Sequence, residues 1–323
     1  MTTSIHDALF KKTFSQIEHA TGELQAILPP GLVARIDFAT LTLCPGTYVD
    51  GDLRQRYTDL LFSADLAGKK ALLYILFEHQ STVDPLMLFR LLAYMVRIWE
   101  THLQAEPEAK RLPAIIPVVL HHSHSGWTAK VAFEDLIDVD ATVLAEIAPY
   151  VPHFRCVLDD LGGESEEALR ARAMSALGRL ALWCLKNSRT PDLIVAQLGR
   201  WGELMRQVVR APDGMAAVGT IFGYMCAVDE TYGPEELLRL VAREVGKEVE
   251  EAIVTTADML RAEGRNEGLK AQRATLLKQL SQRFGVLPGD AVARITAAGQ
   301  VELEAWFDRV LTAPTLAEVL GEG

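Results

Sequence analysis

YTDLLFSADLAGKKALLYILFEHQ, residues 57–80, decides how this chain is read. The segment 57–66 has strand-forming residues and ends at Ala67-Gly68-Lys69-Lys70, a turn signal. The following run, ALLYILF at 71–77, is apolar on both alternations, as expected of a strand buried on both faces. The two segments predict a β-hairpin. It carries Asp59 on its first strand and Glu78-His79-Gln80 at the end of its second.

Side chains alternate along a strand, so Glu78 and Gln80 share a face and His79 takes the other. With a four-residue turn at 67–70, Leu66 pairs with Ala71 and Asp59 pairs with Glu78. Directly opposed side chains have Cβ atoms about 4.5–5.5 Å apart, where two like charges repel unless a cation lies between them. A three-residue loop instead puts Asp59 opposite Phe77. Such a carboxylate pair suits phosphodiester hydrolysis, in which Mg²⁺ activates water and spreads negative charge. The plainer alternative is that Glu78 marks the exposed end of an apolar strand and Asp59 is unrelated.

Working outward, 6–28 has helical spacing and stops at Pro29-Pro30. Residues 32–43 read as a strand or short helix before a Cys-Pro-Gly turn at 44–46. Asp84-Pro85 signals a helix start, as N-cap and first helical residue. The amphipathic segment that follows is apolar at Leu88, Leu91, Leu92, Met95, Ile98 and Trp99. PAIIPVVL, 113–120, reads as another buried strand, HHSHSGW, 121–127, as a loop, and 154–157 as a short strand. This order implies an α/β domain with a mixed sheet.

From Glu164 only helical periods appear, at 164–187, 191–211, 213–228 and 234–261. A charged helix follows at 262–285, then a break at Pro288-Gly289. The tail has Trp306, Phe307, Val310 and Leu311 as its apolar stripe. The expected organisation is 1–162, 163–262 and 263–323.

The chain has 323 residues, 49% hydrophobic and 23% charged, with a net charge of −11. That is an ordinary globular balance, and it argues against coating nucleic acid by bulk charge. The acidic excess is uneven. Residues 1–130 hold 12 Lys+Arg against 13 Asp+Glu, while 131–323 hold 20 against 30. Contact with DNA through the N-terminal part is therefore compatible with the composition. Cys44, Cys156, Cys184 and Cys226 form no CxxC pair and read as free thiols. No stretch reaches the ~18 apolar residues of a membrane helix, and the N-terminus lacks a signal-peptide apolar region, so a cytoplasmic protein without membrane contact is expected.

HDALFKKTF at 6–14, YTDLLF at 57–62, YILFEHQSTVDPLMLFRLLAYMVRIWETHL at 74–103, PAIIPVVLHHSHSGW at 113–127 and FRCVLDDL at 154–161 together resemble the bacterial recombination-promoting nuclease (Rpn) family, also described as YhgA-like putative transposases. EGRNEG at 263–268 and APTLAEVL at 313–320 look like C-terminal regions of the same proteins. The resemblance implies a PD-(D/E)XK nuclease-like mixed sheet flanked by helices, with an α-helical C-terminal extension. It also implies metal-dependent DNA endonuclease activity linked to recombination or mobile elements.

On that resemblance Asp59 and Glu78 match the acidic metal-binding positions, with Mg²⁺ or another divalent cation. Gln80 completes the catalytic set where related nucleases carry Lys, a position at which this family commonly shows Gln. A glutamine orients water or phosphate but brings no charge, which favours an alternative reading: a weakly active or inactive DNA-binding or regulatory module keeping the fold. The stretch 121–126 departs from the family's Tyr-His-Gly.

Further candidates are weighed against plainer readings. Glu18 and Glu23 are metal-ligand candidates or a solvated helix face. Lys11, Lys12 and Arg90, with Arg97, are DNA contacts or surface charge. His121, His122 and His124 are a transition-metal site or a loop. Asp159 and Asp160 support the site or form a turn. Cutting two strands suggests a homodimer.

Overall fold

The computed structural model describes residues 5–44, 58–78, 83–123, 126–188, 190–229 and 231–321. The chain forms two compact units, Met1–Ile253 and Val254–Gly323.

The first unit opens with α1 (Ile5–Phe14), α2 (Ile17–Ile27) and the short α3 (Pro30–Val33). The single helix expected over 6–28 is broken at Ser15-Gln16. The break lets Phe10, Phe14 and Leu24 all reach the core, each at most 1% exposed. Five strands follow: β1 (Ile36–Leu43), β2 (Thr58–Leu66), β3 (Lys69–Glu78), β4 (Ala114–His121) and β5 (Val157–Asp160). They lie side by side in that order. The first two pairings are antiparallel and the last two parallel. The sheet is mixed and flanked by helices, consistent with a nuclease-like fold.

The hairpin turn is tighter than expected. Leu66 pairs with Lys69, so the turn is Ala67-Gly68, and Asp59 pairs with Leu76 rather than Glu78. Both turn residues have positive φ, 48° and 76°. Such a turn twists in the sense of the strands it joins, which a wider loop does not guarantee. The correction is a slip of two residues. Because side chains alternate with period two, an even slip leaves positions 59 and 78 on the same face.

Helix α4 (Met87–Ala105) connects β3 to the parallel β4. Its expected apolar face is present, with Leu88, Leu91, Met95 and Ile98 buried. The helix starts two residues later than Pro85: Asp84 accepts from the Leu86 backbone N–H at 2.9 Å, forming a turn before the first helical residue. The face of the sheet under α4 contributes Leu61, Leu72, Ile115 and Val119 to one core. The opposite face contributes Leu60, Phe62, Leu73, Val118 and Leu120 to a larger core.

β5 follows α5 (Ala141–Ile147) and lies three residues beyond the expected 154–157. Asp159 and Asp160 are therefore strand residues. Then come α6 (Glu166–Ala171), α7 (Ala176–Asn187), α8 (Pro191–Arg210), α9 (Gly214–Val228) and α10 (Pro234–Glu244). Trp183 and Trp201, fully buried, stack with centroids 4.9 Å apart where α7 meets α8. These helices share the larger core with the sheet. The division expected near 162 thus falls inside one compact unit.

Helix α11 (Lys247–Phe284) is continuous where a boundary was expected near 262. The break between helices comes earlier, at Gly246, whose φ is 123°, and the two units divide within α11, after Ile253. In the second unit α12 (Gly289–Ala297), α13 (Gln300–Arg309) and α14 (Leu316–Leu320) pack with the end of α11. Trp306 and Val310 are buried there, and Phe307 is half-buried. Leu311, expected on the apolar stripe, is 82% exposed.

Candidate active site at the strand ends

β3, β4 and β5 run parallel, so their C-terminal ends coincide. Glu78 is in register with His121, and His121 with Asp160. Position 59 pairs with Leu76, one step back along the same face. The register therefore places backbone positions 59, 78, 121 and 160 towards the same ends of neighbouring strands. Gln80, His79 and His124 lie outside the described residues.

The described residues on either side of 124–125 are tightly held. Asp160 accepts from the Trp127 backbone N–H at 2.8 Å through Oδ2, and from the Gly162 N–H at 3.2 Å through Oδ1. His121 is fully buried, with Nε2 2.8 Å from Ser123 Oγ and its ring edge-on to Trp127 at 5.1 Å. Gly162 is required here: a Cβ would stand 2.5 Å from the Ser123 carbonyl oxygen. Asp160 is thus a loop clasp, and His121 and Ser123 are its core. His122 faces elsewhere, with Nδ1 3.3 Å from Ser188 Oγ and its ring 5.2 Å from that of His6. Among the described residues no group of three or more His, Cys, Asp or Glu side chains could hold a metal ion.

The other face carries a second acidic grouping. Arg172 donates to both carboxylate oxygens of Asp159, at 2.6 and 2.8 Å, and to both of Glu23, at 3.2 and 3.3 Å. Glu164 lies 3.5 Å away. The Arg172, Glu23 and Asp159 side chains are 8%, 1% and 5% exposed. Burial, then the Asp159 charge, pushes the Glu23 carboxyl well above the usual range. Burial works against the Arg172 charge, but Asp159 and Glu23 outweigh it and hold its pKa above the ordinary guanidinium value. Glu23 is therefore part of a closed ion cluster. The sequence marked Glu23 and Asp159 but missed Arg172. No local pattern announces a guanidinium 149 residues from one partner and 13 from the other.

Arg90 bonds Asp84 at 3.0 Å with its side chain 17% exposed. Lys11, Lys12, Glu18 and Arg97 are exposed. The four cysteines are free, and among the described residues no helix is long and apolar enough to cross a membrane.

The YhgA-like putative transposase model matches residues 4–215. Recombination-promoting nuclease RpnA of Escherichia coli K12 is 27% identical over 304 residues, covering 93% of this chain and 96% of the relative. RpnC of the same strain is 32% identical over 124 residues, 38% of this chain and 41% of the relative. A third K12 protein, the inactive recombination-promoting nuclease-like protein RpnE, is 26% identical over 289 residues, 88% and 92% of the two chains. No solved structure matches the chain. With a match extending across the sheet and into the helices behind it, the chain belongs to the YhgA-like putative transposase family, the group of the Rpn recombination-promoting nucleases.

Proposed function

We propose that the protein is a metal-dependent DNA endonuclease of PD-(D/E)XK type, acting in recombination. The observation that carries this reading is the hairpin register, which keeps positions 59 and 78 on one face at the ends of the strands. Diagonal neighbours across an antiparallel pair are roughly 7–8 Å apart, against about 4.5–5.5 Å for direct opposition. The diagonal separates the two charges while leaving them close enough to share a cation. The names of RpnA and RpnC support the nuclease reading.

The donor set fits the ion. Mg²⁺ takes hard oxygen ligands and is held by one or two carboxylates with several waters retained. Asp59 and Glu78 would hold it. Bound there, Mg²⁺ would supply an activated water and neutralise charge on the phosphate. Gln80 would orient water or phosphate by hydrogen bonds. His121, Ser123 and Asp160 would keep the adjacent strand end and loop rigid, so that the carboxylates stay where the cation needs them.

The test is nicking of supercoiled plasmid by the whole protein with Mg²⁺, with EDTA, and with Asp59→Ala or Glu78→Ala. Cleavage is expected only for the unsubstituted chain with Mg²⁺. Equal nicking by all three proteins would refute the site.

A second reading is favoured by the inactive name of RpnE and by the uncharged Gln80. In it the chain keeps the fold and binds DNA without cutting appreciably. DNA retention without nicking, unchanged by Gln80→Lys, would establish it.

A further inference from the structure

We infer that the outer face of α4 is a self-association surface, on which a second copy of this chain docks its own α4 antiparallel about a two-fold axis. The inference does not depend on the nuclease reading.

A helix lying on a sheet ordinarily has one apolar arc and a polar outer face. α4 has two apolar arcs. Leu88, Leu91, Met95 and Ile98 are buried in the core that it shares with the sheet. Phe89, Leu92, Val96, Trp99 and Leu103 form the second arc. Phe89 is 58% exposed, Val96 and Leu103 are exposed, and Leu92 and Trp99 are half-buried against that core. The stripe continues past both ends of the helix, at exposed Leu86 and exposed Leu112. The Trp99 indole N–H donates to the Pro113 carbonyl oxygen at 2.9 Å, which brings the chain at Leu112 back beside the helix. Single exposed apolar residues are ordinary, whereas a contiguous patch marks an interaction surface.

The spacing says what fits there. Positions 89, 92, 96, 99 and 103 alternate steps of three and four, the repeat with which one helix packs along another. The complementary surface is a helix with the same repeat, and a second α4 carries it. A closed two-fold contact sets the same patch of both copies face to face.

Charge favours a second copy and sets its direction. The acidic and basic side chains within α4 are Arg90, Arg97 and Glu100, and Glu106 stands at its C-terminal cap. The basic residues precede the acidic ones. Arg90 bonds Asp84 of its own chain, while Arg97 and Glu100 are exposed on the outer side. Parallel copies would set arginine level with arginine. Antiparallel copies, with the axis level with Ile98 and Trp99, set Arg97 of each opposite Glu100 of the other. Rim charges of this kind fix orientation more than affinity. The apolar stripe is then the core and the charged side the rim of an interface of the smaller, reversible kind.

Sedimentation velocity of the whole chain over a concentration series reads the dimer, and denaturant unfolding of each variant checks the fold. The unsubstituted chain should pass reversibly from monomer to dimer as concentration rises. Phe89→Ser and Val96→Asp should each weaken the dimer about ten-fold or more, and Arg97→Glu and Glu100→Arg should each weaken it several-fold. Mixing Arg97→Glu with Glu100→Arg should restore association, because the mixed dimer rebuilds both ion pairs. A pair formed within one helix could not be rebuilt by mixing. If Val96→Asp does not fold, Phe89→Ser decides. A monomer at every concentration, a dimer unchanged by Phe89→Ser, or mixed variants that associate no better than each alone would overturn the proposal.

Discussion

Two acidic groupings lie towards the same ends of the strands, one on each face of the sheet. On one face Glu23 and Asp159 are buried and closed by Arg172, which answers both carboxylates from within the chain. On the other, the register sets positions 59 and 78 in line with His121 and Asp160. The difference teaches what a carboxylate pair is for. A pair matched by a buried guanidinium is spent on holding α2, β5 and the approach to α7 together. The pair at the hairpin is, in the proposed function, matched by a cation from solution, and its energy goes into chemistry.

The sharpest way to break this contrast is to remove the guanidinium. Arg172→Met would leave two buried carboxylates uncompensated and should cost about 3–5 kcal/mol, read by denaturant unfolding. Adding Glu23→Gln and Asp159→Asn should restore most of that loss, because it removes the charges left stranded. A loss below about 1 kcal/mol for the single variant would mean that water reaches the cluster.

The hairpin pair should respond in the opposite currency. Asp59→Ala and Glu78→Ala should each lower plasmid cleavage roughly 10²-fold or more, an effect typical of removing one preorganised group from a reaction centre. Their unfolding midpoints should stay within the small range of surface substitutions, about 0.5 kcal/mol.

pH separates the two groupings further. The Glu23 carboxyl is raised in the folded state, so folding takes up protons between its unfolded and folded pKa values. The stability this group contributes is fully present below the ordinary glutamate value and is lost as pH rises through the raised one. Thermal unfolding of the wild type relative to Glu23→Gln should therefore worsen over that window. A flat difference would show that Arg172 alone sets the charge state of Glu23.

The smallest effect concerns the turn. Ala67 has φ of 48°, a conformation that asparagine tolerates better than alanine. Ala67→Asn should stabilise the protein by a few tenths of a kcal/mol and leave the strand register unchanged, as hydrogen exchange of the β2 and β3 amides would report. A shift in the protection pattern would move position 59 off its row.

Much of this was legible along the chain. The hairpin follows from two apolar runs around Ala67-Gly68, and α4 from its 3.6-residue apolar stripe, because both patterns are local and periodic. The acidic positions Asp59 and Glu78 were legible as residues. Their opposition was not, because a two-residue and a four-residue turn can be drawn from the same letters and shift the pairing by two residues. Glu23 was read as a metal ligand or a solvated face, and it is neither. Its surroundings come from β5 and from Arg172, far along the chain, and no local rule reaches across that separation.

The sequence by itself determined the kinds of element, the family pattern and which carboxylates are worth asking about, since periodicity, turn residues and motif spacing act over a few residues. Only the tertiary structure decided the partners. Sheet register placed Glu78, His121 and Asp160 in one row, and burial joined Glu23 to Asp159 through Arg172. Desolvation and charge pairing depend on which groups become neighbours in space, and that is settled when the sheet and the helices behind it close around a common core.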